Sequence, residues 1–206
     1  MKKRHILILF IGLMTLCFNL AAQDGAQPVR ATAPLSKYDK MFPQIKYGKN
    51  VYRKGSNWFM FGYGPSYHLN KEALNYNLQL AFHWRYKAMY FNAGWHSASP
   101  EQKLFLARPM EQLNDIYGGA GLRFEDRWYN FGFFIGPSFA ITWLPESNSL
   151  SKINYQLGAY TEVQCTFKYF YDLGIGTSIY GSFNKRYQVV GARIHLYFSN
   201  AFVTKY

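Results

Sequence analysis

Tyr76-Asn77-Leu78-Gln79-Leu80-Ala81-Phe82-His83-Trp84-Arg85 alternates residue by residue. Tyr, Leu, Leu, Phe and Trp fall on one side; Asn, Gln, Ala, His and Arg fall on the other. Successive side chains of a strand point to opposite faces, so the stretch reads as a strand with one oily and one polar face. The same alternation recurs in eight runs, expected at 57–69, 74–85, 88–97, 115–125, 128–144, 153–169, 173–183 and 187–198. Each run reaches the length of about ten residues that a tilted strand needs to cross a bilayer.

Period alone does not say which face is outside, since a soluble lipocalin-like barrel turns its apolar face inward. Three features favour apolar-out. The polar face is rich in Gly, Asn, Ser and Gln and poor in Lys. Trp84, Trp95, Trp143, Tyr67, Tyr129, Tyr155 and Tyr169 fall near run ends on the apolar face, where interfacial girdles sit. The apolar face carries no charge, and a charge on a lipid face costs about 2–4 kcal/mol at mid-depth. The fold class expected is therefore all-β: an eight-stranded antiparallel up-and-down transmembrane β-barrel.

The 206 residues suit one domain, and aromatics make up 20% of them, while mean hydropathy is only -0.22. After the N-terminus no apolar run is long enough for a membrane helix. Met1–His5 is basic, Ile6–Phe18 apolar, and Asn19–Gln23 carries small residues. This is the pattern of a signal peptide over 1–22, cleaved after Ala22. Lipidation at Cys17 is disfavoured by the bulky Leu16 before it. Lys2, Lys3 and Arg4 hold three of the +12 charges, leaving +9 on the mature chain. Cys165 is then its sole cysteine, expected on the apolar face as a small hydrophobe.

Residues 23–56 show no clear period and read as an irregular basic periplasmic arm, or a plug entering the barrel. Arg30, Lys37, Lys40, Lys46, Lys49, Arg53 and Lys54 stand there against Asp24 and Asp39. An exported chain makes nucleic acid a poor partner; an anionic membrane surface or an acidic protein is better. The barrel is expected over 57–198 and a tail over 199–206. Joins near 86–87, 126–127 and 170–172 are short, whereas 70–73, 98–114 and 145–152 are longer; 184–186 is tight. Short turns on one end are periplasmic in outer-membrane barrels, and an even strand count puts both termini there. In the 98–114 loop, Ser99-Pro100 predicts a short helix stopping near Pro109. It would expose Leu104, Phe105 and Leu106 to lipid, to the barrel mouth or to a partner.

The inward parity collects His68, His83, Arg85, His96, Arg123, Glu125, Glu162, Lys168, Asp172, Arg193 and His195. An eight-stranded barrel is just wide enough for side chains to fill it, so these groups must satisfy one another. A lumen network of Arg123, Glu162, Arg193, His195 and His83 is expected, with Glu162 paired to Arg193 and Arg123 as a candidate second cation. It reads as a plug, or alternatively as a gate on a narrow ion path. An enzymatic alternative rests on His68 and His96 near Ser66, Ser97 and Ser99. A histidine there would activate a serine for acyl transfer, with Asp115 the nearest orienting carboxylate. Two histidines without a third ligand are not a metal signature, and no glycine pattern calls for a nucleotide cofactor.

With its eight runs, its turn-and-loop alternation and a last run ending Ile194-His195-Leu196-Tyr197-Phe198, the chain resembles the small eight-stranded outer-membrane proteins of the OmpX and OmpA transmembrane-domain type. The resemblance covers about residues 57–198. The tail departs from it, since that terminal aromatic usually closes the chain. Gln23 as a new N-terminus is similar to exported proteins of Bacteroidetes-type bacteria. Such barrels include adhesins, anchors and enzymes, so the resemblance implies a location more than a function. The role expected is non-enzymatic: a membrane anchor or interaction subunit of an envelope complex, with contacts through the arm or the 98–114 loop.

Overall fold

The computed structural model describes residues 27–28, 44–47, 50–100, 112–145, 151–185 and 187–201. Eight strands carry the alternating runs: β4 Trp58–His68, β5 Ala73–Tyr86, β6 Met89–Ser99, β7 Gln112–Glu125, β8 Tyr129–Pro145, β9 Ser151–Phe170, β10 Leu173–Asn184 and β11 Gln188–Ser199. Each pairs antiparallel with its chain neighbours. The ring closes where β11 meets β4, with Val189 opposite His68 and Ser199 opposite Trp58. Entry to and exit from the barrel therefore lie on the same rim, the one carrying the tight turns at 87–88, 126–128 and 171–172.

The alternation becomes an inverted polarity. Phe59, Phe61, Leu80, Phe82, Ile135 and Ile194 are exposed on the outer face, while Asn77, Gln79, His83, Glu162, Gln164 and Lys168 are buried inside. Trp84, Trp95 and Trp143 stand half-buried on the outer face, and Tyr67, Tyr155 and Tyr169 are exposed there. Cys165 is half-buried on the same face. A water-soluble barrel would have the two sets exchanged.

Large aromatics also fill the lumen. Trp58, Tyr117, Phe134, Tyr160, Tyr180 and Tyr197 are all buried. Glycine makes the space: a Cβ at Gly94 would collide with the Tyr117 hydroxyl.

Two expectations need correction. The arm is not simply irregular. Before the barrel lies a three-stranded sheet of β1 Gln27–Pro28, β2 Gln44–Tyr47 and β3 Asn50–Arg53. Strands of two to four residues are too short to show a period. The strands β7 and β9 also start earlier than the runs indicated. The β8–β9 ladder runs from Tyr129↔Phe167 to Pro145↔Ser151, whereas β9–β10 stops at Gly158↔Asn184. Residues 151–157 of β9 thus project beyond β10 at the loop end, with Leu157 80% exposed.

Candidate functional site

The lumen holds His68, His83, His96, Arg123, Glu125, Glu162, Lys168, Arg193 and His195, and strand register decides which of them meet. At the centre, Arg193 on β11 lies 3.5 Å from the Glu162 carboxylate on β9. Its Nε donates to Asn77, its Nη1 to the Tyr160 hydroxyl at 3.1 Å, and its guanidinium stacks 3.5 Å over the Tyr180 ring. Glu162 also accepts from Gln79 Nε2 at 3.0 and 3.1 Å and from the Tyr160 hydroxyl at 3.1 Å. The strands β5 and β9 are four apart in a ring of eight, so the Gln79–Glu162 bond crosses the full diameter.

The same crossing recurs at two further levels. Gln164 on β9 bonds His83 on β5 at 2.9 Å. Arg123 on β7 donates to the Tyr197 hydroxyl on β11, opposite it, at 2.8 Å. His195 bonds Thr166 at 2.8 Å, and Trp58 stacks on His83 with centroids 4.3 Å apart. At the loop end Asn75 donates to the Tyr187 hydroxyl at 2.9 Å, and the His68 ring sits edge-on to Tyr187 at 3.9 Å.

Arg123 does not serve Glu162, contrary to expectation. It lies across from Gly132, itself across from Gln164, so it sits nearer the turn end than Glu162. There it donates to Glu125 at 2.8 Å and Asn130 at 2.8 Å, and stacks 4.1 Å over Trp58. Lys168 shares the Glu125 carboxylate at 2.9 Å. Two of the expected lumen groups lie at the rim instead. Arg85 donates to the Lys87 carbonyl, and Asp172 accepts from Ala201 and Ser199.

This turn-end cluster grips the arm. Gly55 N–H donates to Glu125 at 2.7 Å, and the Ser56 carbonyl accepts from Arg123 at 2.6 Å. Arg53 N–H donates to the Ala201 carbonyl at 2.7 Å, and Tyr52 stacks on Tyr171 at 4.6 Å. The last residues of the arm therefore seal the mouth. Gly55 is required twice over: its φ is +79°, and a Cβ would stand 2.5 Å from the Tyr90 hydroxyl. Gly55→Val is expected to unseat this segment at a cost of about 1–3 kcal/mol. Limited trypsinolysis checks it: cleavage at Arg53 and Lys54 should accelerate while the barrel stays resistant.

The proposed acyl-transfer set does not assemble. Along β5, His68 pairs with Ala73 and His96 with Gln79, which is about 20 Å apart at roughly 3.4 Å per residue. His96 lies deep in the lumen against Tyr160 and Tyr180, rather than at the strand end. Asp115 is across from it, but the two are 3.9 Å apart, and Asp115 accepts from Ser182 at 2.6 Å instead. Ser97 and Ser99 point to the other face of the sheet, and Ser97 accepts from Gln112 at 2.8 Å. Among the described residues no three His, Cys, Asp or Glu cluster as metal ligands.

Of the arm cations, Lys46 and Lys54 are exposed, and Arg53 donates to the Asn200 carbonyl at 3.5 Å. Lys40, Lys49, Leu104, Phe105 and Leu106 lie outside the described residues, as do the expected signal segment, Cys17 and the helix after Pro100. Tyr117, Tyr160, Tyr180 and the Gly55–Ser56 seal were not singled out from sequence. Inward parity was the only signal for the tyrosines, and nothing marked the seal.

The fold is that of the small eight-stranded outer-membrane barrels. Neisserial surface protein A superposes with a TM-score of 0.56 at 7% identity, covering 71% of this chain and 97% of that one. Ail, the attachment invasion locus protein of Yersinia pestis, gives 0.51 at 12%, with 72% and 97% covered. The N-terminal β-barrel domain of Pseudomonas aeruginosa OprF gives 0.52 at 7%, with 69% and 96% covered. No family model and no curated protein sequence matches the chain.

Proposed function

We propose that this protein is an integral outer-membrane barrel with a non-enzymatic role, an anchor or interaction subunit of an envelope complex. Its short turns and both termini face the periplasm. The observation that carries this reading is the lumen. Polar bonds cross the whole diameter at three levels inside an apolar exterior, so side chains fill the lumen at those levels and the outer surfaces are the candidates for function. The basic arm suits an acidic envelope protein.

Detergent pull-down from native outer membranes with mass spectrometry tests this reading. The full chain is compared with one lacking residues 24–49, a deletion that spares the docked segment 50–57. Specific protein partners lost on deletion are expected. Phospholipid or lipid A acyl turnover that disappears in His96→Ala would contradict the proposal.

A further inference from the structure

We propose that the turn-end rim binds the phosphodiester headgroup of an anionic glycerophospholipid. A cavity of about 210 Å³ opens there, lined by Arg127 and Lys168 together with Tyr52, Trp128, Phe170 and Tyr171. Arg127 lies 4.5 Å over the Trp128 ring, and Lys168 Nζ lies 3.9 Å from the Tyr171 ring centroid. Three carboxylates lie nearby, each hydrogen-bonded or ion-paired within the protein. Glu125 is shared between Arg123 and Lys168. Asp126 accepts from the Arg127 N–H at 2.7 Å and from Tyr129 at 3.2 Å. Asp172 accepts from Ala201 at 2.6 Å. Arg53, Lys54, Arg85 and Lys87 add further positive charge around the same rim, so an anion is the complementary ligand.

The cavity's surroundings favour a lipid as the source of that anion. Trp128 is 42% and Phe170 72% exposed on the apolar exterior. Acyl chains can lie along them while the phosphodiester meets Arg127 at the rim, with Lys168, buried in its ion pair with Glu125, adding charge behind it rather than contact. Aromatic and basic side chains together are what an interfacial headgroup site needs. Tyr52 belongs to β3, so the cavity is complete only when the arm is docked. The inference rests on the membrane reading above.

The test uses the full chain reconstituted into nanodiscs of phosphatidylcholine with and without phosphatidylglycerol. Insertion is scored by heat-modifiable migration, and retained lipid is measured by native mass spectrometry after detergent extraction. Preferential retention of phosphatidylglycerol is expected. Arg127→Gln should reduce it about fivefold, the equivalent of about 1 kcal/mol for one basic side chain at an anionic surface. Lys71→Gln at the loop end should leave it unchanged. Normal insertion with equal retention of the two lipids, or retention unaffected by Arg127→Gln, overturns the inference alone. If inorganic phosphate in lipid-free micelles raises thermal stability as much as phosphatidylglycerol does, the ligand is a phosphate ion and the lipid assignment falls. Failure to insert into either nanodisc overturns the membrane reading, and this inference with it.

Discussion

Glu162→Ala is expected to destabilise the barrel by about 3–5 kcal/mol, the cost of stripping one partner from a buried ion pair. Arg193 would keep Asn77 and Tyr160 but lose the carboxylate 3.5 Å away. The Gln79 amide and Tyr160 hydroxyl would lose the acceptor they share. Denaturant unfolding in detergent or lipid reads the loss directly. The double change Glu162→Leu with Arg193→Met should recover most of it, because replacing a buried pair by apolar groups of similar volume is often neutral. Planar-bilayer recordings should show no new conductance in either variant, since crossings at the levels of His83 and Arg123 remain. A channel opened by Glu162→Ala with little loss of stability would instead identify the lumen as a gate.

Ile194→Arg is the second large effect. Ile194 is 62% exposed near the middle of β11, paired with Tyr63 and Thr177. At the midplane of a bilayer the substitution costs about 2–4 kcal/mol. On a surface in water it would fall within about 0.5 kcal/mol of neutral. Leu157→Arg is the matched control. Leu157 is 80% exposed but stands on the hairpin projecting past β10, where a cost of about 0–1 kcal/mol is expected. Folding yield into lipid vesicles, followed by heat-modifiable migration, should fall for Ile194→Arg and hold for Leu157→Arg.

The barrel was legible because its determinant is local. From Trp58 to His68 every residue's face follows from its parity, and burial alternates along the whole strand. Strand ends were less legible where the two faces stop differing. Ser99 extends β6, and Gln112 and Asn114 begin β7, yet their polar side chains carry no contrast between lipid and lumen. Parity gives a side chain's face but not its height. Glu162 and Arg193, expected to pair, do meet. Arg123 shares their face yet belongs with Glu125, because the stagger of tilted strands sets level. His68 and His96 likewise share the inward face but stand at different heights. The seal was invisible for another: Gly55 and Ser56 act through backbone N–H and C=O groups, which no side-chain pattern encodes.

Tryptophan quenching in reconstituted vesicles tests the inside-out polarity most directly. Trp84, Trp95, Trp128 and Trp143 lie on the exterior, while Trp58 is enclosed in the lumen. Lipids brominated along their acyl chains should quench most of the emission, aqueous iodide little of it, and Trp58→Phe should leave the lipid-quenched fraction nearly intact. Strong iodide quenching with no response to brominated lipid would place the aromatic face in water and contradict the account.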